Sequence, residues 1–304
     1  MPEYGFLVMS QSKFVYFVHV ERAGGTTLHR ILQNMFPRYL ALRPWWCWAN
    51  EPENAVQREE LSALCRWLPG LAGVGGHTTR SWNVGPRLDS HLNRHSNEHL
   101  GGREVLRFTF LRDPIARYMS HFNYQRVRMG IPWTIDEFVA EKRFANYHTK
   151  RYSGGFDLDE AKRALDEDFD FVGLTDRFDE SLLLWRHALG RPDLSVQYER
   201  ENALKEADLI RFDDLSAKQR LAVEDANALD LELIEYGRET IFAQQHRAYP
   251  GDLEQELVIL RDANVGFQFP RWRARLMWPL IKVAKELIEP VLHAKHDRPR
   301  PTRR

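Results

Sequence analysis

The sequence predicts an α/β fold in which helices flank a parallel β-sheet, with a C-terminal half that is rich in helix. Three times along the chain, a short apolar run gives way to a turn and then to an amphipathic stretch. Runs of β-branched and aromatic residues form strands buried on both faces, and strands that alternate with helices pair in parallel. The 304 residues are enough for one large domain, which we expect to span residues 1–270.

The first strand–turn–helix unit opens with the run F-V-Y-F-V-H-V at residues 14–20. Apolar residues then recur at helical spacing over 28–35. Pro37 ends this helix, because proline cannot donate a backbone hydrogen bond inside one. The turn between strand and helix reads E-R-A-G-G-T-T-L.

That turn has the composition of a phosphate site. Gly24 and Gly25 allow the backbone to approach an anion closely, and the helix that follows directs its unpaired N–H groups at the same point. Arg22 adds a fixed positive charge, while Thr26 and Thr27 add hydroxyl donors. The spacing is not that of a Walker A loop, in which four residues separate the first glycine from a Gly-Lys pair. An ordinary strand-to-helix turn would carry the same glycines.

The second unit begins with V-L-R-F-T-F-L at 105–111 and passes through Arg112 into a helix. Asp113 fits the N-cap of that helix, and Pro114 fits its first position, where the missing N–H costs nothing. Ser120 follows about two turns into the helix, on nearly the same side as its start. Arg112 and Ser120 can therefore face one anion, and the planar fork of an arginine suits a phosphate.

The third unit joins an apolar run at 169–174 to an amphipathic stretch that ends near Gly190. A helical pattern then occupies 215–245 and 253–262. These stretches account for the helix-rich C-terminal half.

Composition limits the partners and the compartment. The formal net charge is zero, so the global basic field typical of nucleic-acid binders is missing. Cys47 and Cys65 are too few for a disulfide framework, and the first residues lack the pattern of a signal peptide. We therefore expect a cytoplasmic protein that binds no nucleic acid. Residues 271–304 predict an amphipathic helix and a basic tail, of which 271–292 would lie on a membrane surface or pack against another subunit or the main domain.

Two motifs resemble the sulfotransferase superfamily. The first, V-H-V-E-R-A-G-G-T-T-L, is similar to the family's 5′-phosphosulfate loop, which in carbohydrate-type members often reads H-x-P-K-T-G-G-T-[TS]-L. The second, F-T-F-L-R-D-P-I-A-R-Y-M-S-H-F, is similar to its 3′-phosphate motif. Further matches at N-Y-H-T-K-R-Y-S-G, F-V-G-L-T-D-R-F-D-E-S-L and L-D-L-E-L-I-E-Y-G extend the resemblance in order over roughly 14–240. It is strongest to the carbohydrate branch of heparan sulfate 2-O and 6-O type, in a bacterial-type form.

The resemblance implies a P-loop-like sheet and a reaction that moves the sulfuryl group of 3′-phosphoadenosine 5′-phosphosulfate (PAPS) to a hydroxyl of a carbohydrate or glycan-like acceptor. The product would be 3′,5′-ADP, and no metal is implied. The chain departs from the family pattern at Glu21-Arg22, where Pro-Lys is usual, so that Arg22 has to supply the charge of the lysine. The donor-binding residues implied are Arg22, Ala23, Gly24, Gly25, Thr26, Thr27, Arg112 and Ser120.

A sulfuryl transfer also needs a base for the acceptor hydroxyl, and histidine is the usual choice near neutral pH. His77, in G-V-G-G-H-T-T-R-S-W, occupies the place of the G-H catalytic base of heparan-type enzymes. We expect His77 and Arg22 to be catalytic. The competing bases are His91, His95, His99 and His121. The predicted acceptor-side residues are His121, Asn146, His148 and Arg151.

Two other functions are compatible with the sequence. A P-loop-type kinase of a small molecule would bind ATP with Mg²⁺, although the Walker spacing is missing. A non-catalytic nucleotide-binding protein would bind 3′,5′-ADP without turnover, if Glu21-Arg22 marks a loop that has lost its chemistry.

Overall fold

The computed structural model describes residues 13–36, 38–42, 56, 58–80, 100, 103–199 and 208–270. His91, His95 and His99 and the predicted helix and tail of 271–304 lie outside these residues. Among the helices described, none is long and apolar enough to cross a membrane.

Five parallel strands form the sheet, in the order β2-β3-β1-β4-β5. The strands are β1 Phe14–Val18, β2 Tyr39–Leu42, β3 Gly73–Gly76, β4 Val105–Leu111 and β5 Phe171–Leu174. In the central part of the sheet, Tyr16 pairs with Val74 on one side and with Arg107 on the other. Every residue of β1 and β4 is buried, as expected for strands covered on both faces. The predicted fold class, a parallel sheet flanked by helices, is confirmed.

Two of the five strands were not foreseen. Strand β2 is an apolar run of only four residues, Y-L-A-L, and β3 reads G-V-G-G. Glycine disfavours a strand on its own account. The strand forms because its neighbours come close: a Cβ at Gly76 would lie 1.8 Å from the carbonyl oxygen of Leu42.

Eleven helices are described around the sheet. They are α1 Gly25–Met35, α2 Arg58–Trp67, α3 Pro114–Val127, α4 Ile135–Ala140, α5 Tyr147–Ser153, α6 Leu158–Glu167, α7 Phe178–Ala188, α8 Ala217–Ala226, α9 Ala228–Tyr236, α10 Ala243–Arg247 and α11 Leu253–Asn264. A π-helical segment, Gly237–Phe242, joins α9 to α10. The predicted pattern over 215–245 is helical but is broken at Asn227, whose backbone is not helical.

The start of α3 is as the sequence predicts. The Asp113 carboxylate accepts a hydrogen bond of 2.7 Å from the backbone N–H of Ala116, and Pro114 is the first helical residue. This cap satisfies one of the unpaired N–H groups of the helix end. The buried face of α3 packs on a separate apolar cluster that includes Tyr118, Phe122 and Phe138. The helix is thereby held at both its start and its middle.

Candidate anion-binding site

The sheet brings three predicted site residues to one edge. β1 is central, with β3 on one side and β4 on the other, so the strand order reverses between β1 and β4. Open parallel sheets bind ligands outside the carboxyl ends of the strands at such a reversal. Arg22 follows β1, Arg112 follows β4 and His77 follows β3 directly.

Arg22, Arg112 and Ser120 are in contact. The Arg112 Nη1 donates to the backbone carbonyl of Arg22 at 2.6 Å, and the Arg22 Nε donates to the Ser120 Oγ at 3.0 Å. The Arg22 guanidinium also lies 4.9 Å from the centroid of the Tyr124 ring. The two predicted phosphate motifs, which are about ninety residues apart in the chain, thus form one site.

The turn that carries Arg22 has an unusual backbone. Arg22 has a φ of 66° and Gly24 a φ of 74°, both left-handed. For a residue with a side chain this conformation costs roughly 1–2 kcal/mol, and such strain is concentrated at functional sites. Gly24 is the N-cap of α1 and has no side chain to cap it, so the first N–H groups of that helix face the turn.

Gly25 is required by a close approach of His19. A Cβ at Gly25 would lie 1.7 Å from the His19 Nε2. The end of β1 therefore packs directly beneath the start of α1. Ala23 is buried in the same turn, and Thr26 and Thr27 are half-buried in the first turn of α1.

Positive charge is crowded around this turn. Burial, together with Arg22 and Arg117, lowers the pKa of Arg112 to about 10, a value at which it is still charged at neutral pH. Burial also lowers the pKa of Arg22, and Arg117 contributes in the same direction. Arginines that repel one another in a partly buried place are stabilised by a bound anion.

Arg117 lies one turn before Ser120 on α3 and is fully buried. Its Nη2 donates to the carbonyl of Phe144 at 3.2 Å, and its guanidinium lies 4.5 Å from the centroid of the Tyr147 ring. The Nε and Nη1 have no hydrogen-bond partner among the described residues. A buried cation with unsatisfied donors is costly. The i, i+3 spacing to Ser120 is the sequence signal by which Arg117 could have been recognised.

His77 lies beside a carboxylate and a second imidazole. Its Nδ1 is 3.8 Å from the Oε1 of Glu21, and its ring centroid is 4.3 Å from that of His19. About 29% of the His77 side chain and 24% of the Glu21 side chain are exposed. The Nη1 of Arg80 donates to the His77 carbonyl at 2.7 Å. His77 thus lies at the edge of the sheet with its ring partly exposed and its Nδ1 buried.

His121 is close to the same place but has a different environment. It is 4% exposed and contacts the rings of Phe144 and Tyr147 edge-on. Gln125 donates to its Nε2 at 3.2 Å, so the neutral ring carries its proton on Nδ1. Burial lowers the pKa of His121 to about 3, against the attraction of Glu21. A ring with so low a pKa is a poor general base at neutral pH.

This burial predicts acid sensitivity. Neutral His121 stabilises the fold fully above its ordinary pKa of 6.5, and that contribution is lost as the pH falls from about 6.5 towards 3. Between pH 7 and pH 4.5 we expect a loss of about 2–3 kcal/mol in the free energy of unfolding. Burial lowers the pKa of His148 as well, and acts in the same direction. Urea unfolding at both pH values measures the loss.

The His121→Gln variant is the matched control for that measurement, because glutamine does not titrate and can still accept from Gln125. Between pH 7 and pH 4.5, the free energy of unfolding of this variant should fall by about 2 kcal/mol less than that of the wild type. If the free energy of unfolding fell equally in the two proteins, His121 would not be the source of the acid sensitivity.

The other predicted acceptor-side residues have internal partners. Asn146 has a φ of 44°, and its Oδ1 accepts from the N–H groups of Leu229 and Asp230 at the start of α9. His148 is fully buried and bonded to Asp230, and the Nη2 of Arg151 donates to the His19 carbonyl at 2.5 Å. These contacts position α5 beneath the turn after β1. Contact of Asn146, His148 and Arg151 with an acceptor stays a prediction.

A chain of hydrogen bonds beneath the site was not foreseen. The Nδ1 of His19 lies 3.2 Å from the Nε2 of His29, whose Nδ1 lies 2.9 Å from the Tyr39 hydroxyl. All three residues are buried. Because Tyr39 belongs to the unforeseen strand β2, the sequence pattern could not reveal this chain.

Within the described residues, no group of three or more His, Cys, Asp or Glu side chains is arranged to hold a metal ion.

Comparisons with known proteins found a similarity among solved structures only. No protein-family model matches the chain, and no curated protein matches it either. Among solved structures, a sulfotransferase from Alicyclobacillus acidocaldarius is similar, with a TM-score of 0.43 and 13% sequence identity over 73% of this chain and 94% of that one. A likeness this distant does not decide an activity, so the function has to be inferred from the residues of the site.

Proposed function

We propose that this protein is a sulfotransferase that transfers the sulfuryl group of PAPS to a hydroxyl of a carbohydrate or glycan-like acceptor. The observation that carries the proposal is the meeting of Arg22, Arg112 and Ser120 at the reversal of strand order, with His77 at the end of the adjoining strand. An anion site and a candidate base therefore share one edge of the sheet.

The residues present suit a donor with two separated phosphate groups. Arg112 and Ser120 would hold the 3′-phosphate, and the turn at Arg22 with the N-terminus of α1 would hold the 5′-phosphosulfate. The crowded arginines and the unsatisfied donors of Arg117 leave positive charge that such a ligand would balance. Arg22 would replace the lysine of the family pattern and stabilise the charge that develops on the leaving phosphate.

His77 would accept the proton of the acceptor hydroxyl. The hydroxyl oxygen forms a bond to sulfur while the bond from sulfur to the bridging phosphate oxygen breaks, and 3′,5′-ADP leaves with the electron pair. The protein then contributes position and charge and forms no covalent intermediate of its own. His77 suits this role better than His121, because about 29% of the His77 side chain is exposed, whereas His121 is 4% exposed.

Calorimetric titration with 3′,5′-ADP in the absence of metal tests the donor site. We expect binding by the wild type and a loss of about 100-fold in affinity, or about 2.7 kcal/mol, in Arg112→Ala. Arg247→Ala is the matched control, because Arg247 is exposed on α10, and its affinity should equal that of the wild type.

ATP with Mg²⁺ is the competing ligand in the same titration. A preference for it over 3′,5′-ADP would favour a kinase and overturn the proposal. Metal-free binding of 3′,5′-ADP without turnover of PAPS, over a broad screen of glycan hydroxyls, would instead indicate a non-catalytic nucleotide-binding protein.

A further inference from the structure

Glu21 is the residue at which this chain departs most sharply from the family pattern, and its carboxylate points to His77. The Oε1 lies 3.8 Å from the His77 Nδ1, across the ends of two adjacent strands. Proline, the residue of the family pattern at this position, could make no such contact. The substitution therefore brings a charge next to the candidate base.

The carboxylate is stabilised in its charged form by groups from other elements. The Tyr147 hydroxyl on α5 is one of them. Burial acts to raise the pKa of Glu21, but His77, His121, Tyr147 and Arg151 outweigh it and lower the pKa to about 2. Glu21 is accordingly ionised over the whole physiological range.

The imidazole of His19 is a second neighbour of His77. The His19 ring lies against it at 4.3 Å, tilted by 31°, and is itself bonded to His29, which is bonded to Tyr39. Gly25 leaves no free space beneath His19. The His77 ring thus has both a carboxylate and a buried imidazole as neighbours.

We propose that Glu21 is a positioning residue for His77, a carboxylate that orients its imidazole and stabilises the imidazolium formed when His77 takes the acceptor proton. The role of Glu21 in catalysis rests on the proposed function, whereas the electrostatic interaction between Glu21 and His77 does not. A gap of 3.8 Å is longer than a hydrogen bond, and such pairs often tighten when the ring is charged or the substrate is bound.

Other charged and titratable groups face the pair, and they have to be kept unchanged in any test. The groups described around His77 and Glu21 are His19 and Arg22 on the β1 side, Arg80 after β3, Arg117 and His121 on α3, and Tyr147 and Arg151 on α5. Because Arg80, Arg151 and Arg117 bring positive charge, a competing explanation is that Glu21 only neutralises these arginines. The two explanations differ in what happens to His77.

NMR titration of the His77 ring, assigned by its absence in a His77→Gln sample, separates them. In Glu21→Gln we expect the midpoint of the titration to fall by roughly one pH unit, because an opposite charge within about 4–6 Å favours the charged ring. The matched control is Tyr147→Phe, which keeps the carboxylate and removes only the hydroxyl, and in which the midpoint should not fall. If the midpoint stays in Glu21→Gln, or falls equally in both variants, the proposal is overturned.

If the glutamine variant does not fold, Glu21→Ala answers the same question, because it also removes the carboxylate and adds no atoms to the site. A midpoint that does not fall in this variant overturns the proposal. With an acceptor in hand, the acid limb of kcat/KM should move with the midpoint.

The titration needs no turnover, so the two proposals fail separately. A shifted midpoint in a protein that never transfers a sulfuryl group would refute the proposed function and leave the pair intact. Turnover of PAPS together with an unshifted midpoint would support the proposed function and refute the pairing of Glu21 with His77.

Discussion

Replacing Asp230 by asparagine is expected to lower the free energy of unfolding by about 3–5 kcal/mol. Asp230 is fully buried and accepts from the backbone N–H groups of His148 and Thr149, at 2.9 and 2.8 Å, and from the Thr149 hydroxyl at 2.8 Å. The His148 Nδ1 lies 3.3 Å from the same carboxylate. Asparagine would turn an N–H₂ group towards donors and leave them unsatisfied.

Urea unfolding at pH 7 measures this effect, and Asp225→Asn is its control. Asp225 is exposed on the neighbouring helix α8, so its substitution should change the free energy of unfolding by less than about 0.5 kcal/mol. If Asp230→Asn unfolded like the control, Asp230 would not be what anchors α5 to α9.

The pH dependence of the same residue gives a second readout. Burial acts to raise the pKa of Asp230, but His148, Thr149 and Arg117 outweigh it and hold the pKa below the ordinary value of 3.8. The stability it contributes is present above that ordinary value and is lost as the pH falls through the lower, folded-state value. Below pH 4 the wild type should therefore approach the stability of the asparagine variant.

Replacing His77 by asparagine is expected to lower kcat for sulfuryl transfer by about 10²–10⁴-fold, with the affinity for 3′,5′-ADP within threefold of the wild type. The imidazole is the group next to Glu21 that can take the acceptor proton, whereas the contacts assigned to the donor phosphates belong to Arg22, Arg112 and Ser120. Losing only the base removes an interaction made in the transition state and spares ground-state binding.

Turnover of PAPS with an acceptor found by screening glycan hydroxyls, combined with calorimetry, provides this measurement. His187→Asn is the matched control, since His187 is exposed on α7, and both kcat and affinity should stay at the wild-type level. An unchanged kcat in His77→Asn would remove His77 from the mechanism. A kcat that fell only together with the affinity would indicate a structural role.

The strands and turns that carry the donor motifs could be predicted because their signals are local. A run such as 105–111 is long, apolar and rich in β-branched and aromatic residues, and Asp113-Pro114 is a cap that any helix start could use. The proximity of Arg112 and Ser120 follows from helical geometry and the reversal of strand order. The motifs did not specify that both would contact Arg22, and that contact is an observation of the structure.

Strand β3 could not be predicted because glycine has little preference for a strand, and β2 was missed because its apolar run, Y-L-A-L, is only four residues long. β3 consists of three glycines and a valine, and it exists because β1 and β2 supply its hydrogen bonds. His29 and Tyr39 were missed for the same reason, since their bond joins a helix to one of these strands.

The sequence by itself determined the parallel βα units, the glycine-containing turn after β1 and the cap of α3, because each depends on residues within about two helical turns of one another. Only the tertiary structure decided that Glu21 faces His77, that Asp230 holds α5, and that Arg117 is buried with unsatisfied donors. These pairings join residues that are tens of positions apart, and burial then sets their charges. No local pattern specifies either the partner or the burial, so both had to come from the packed fold.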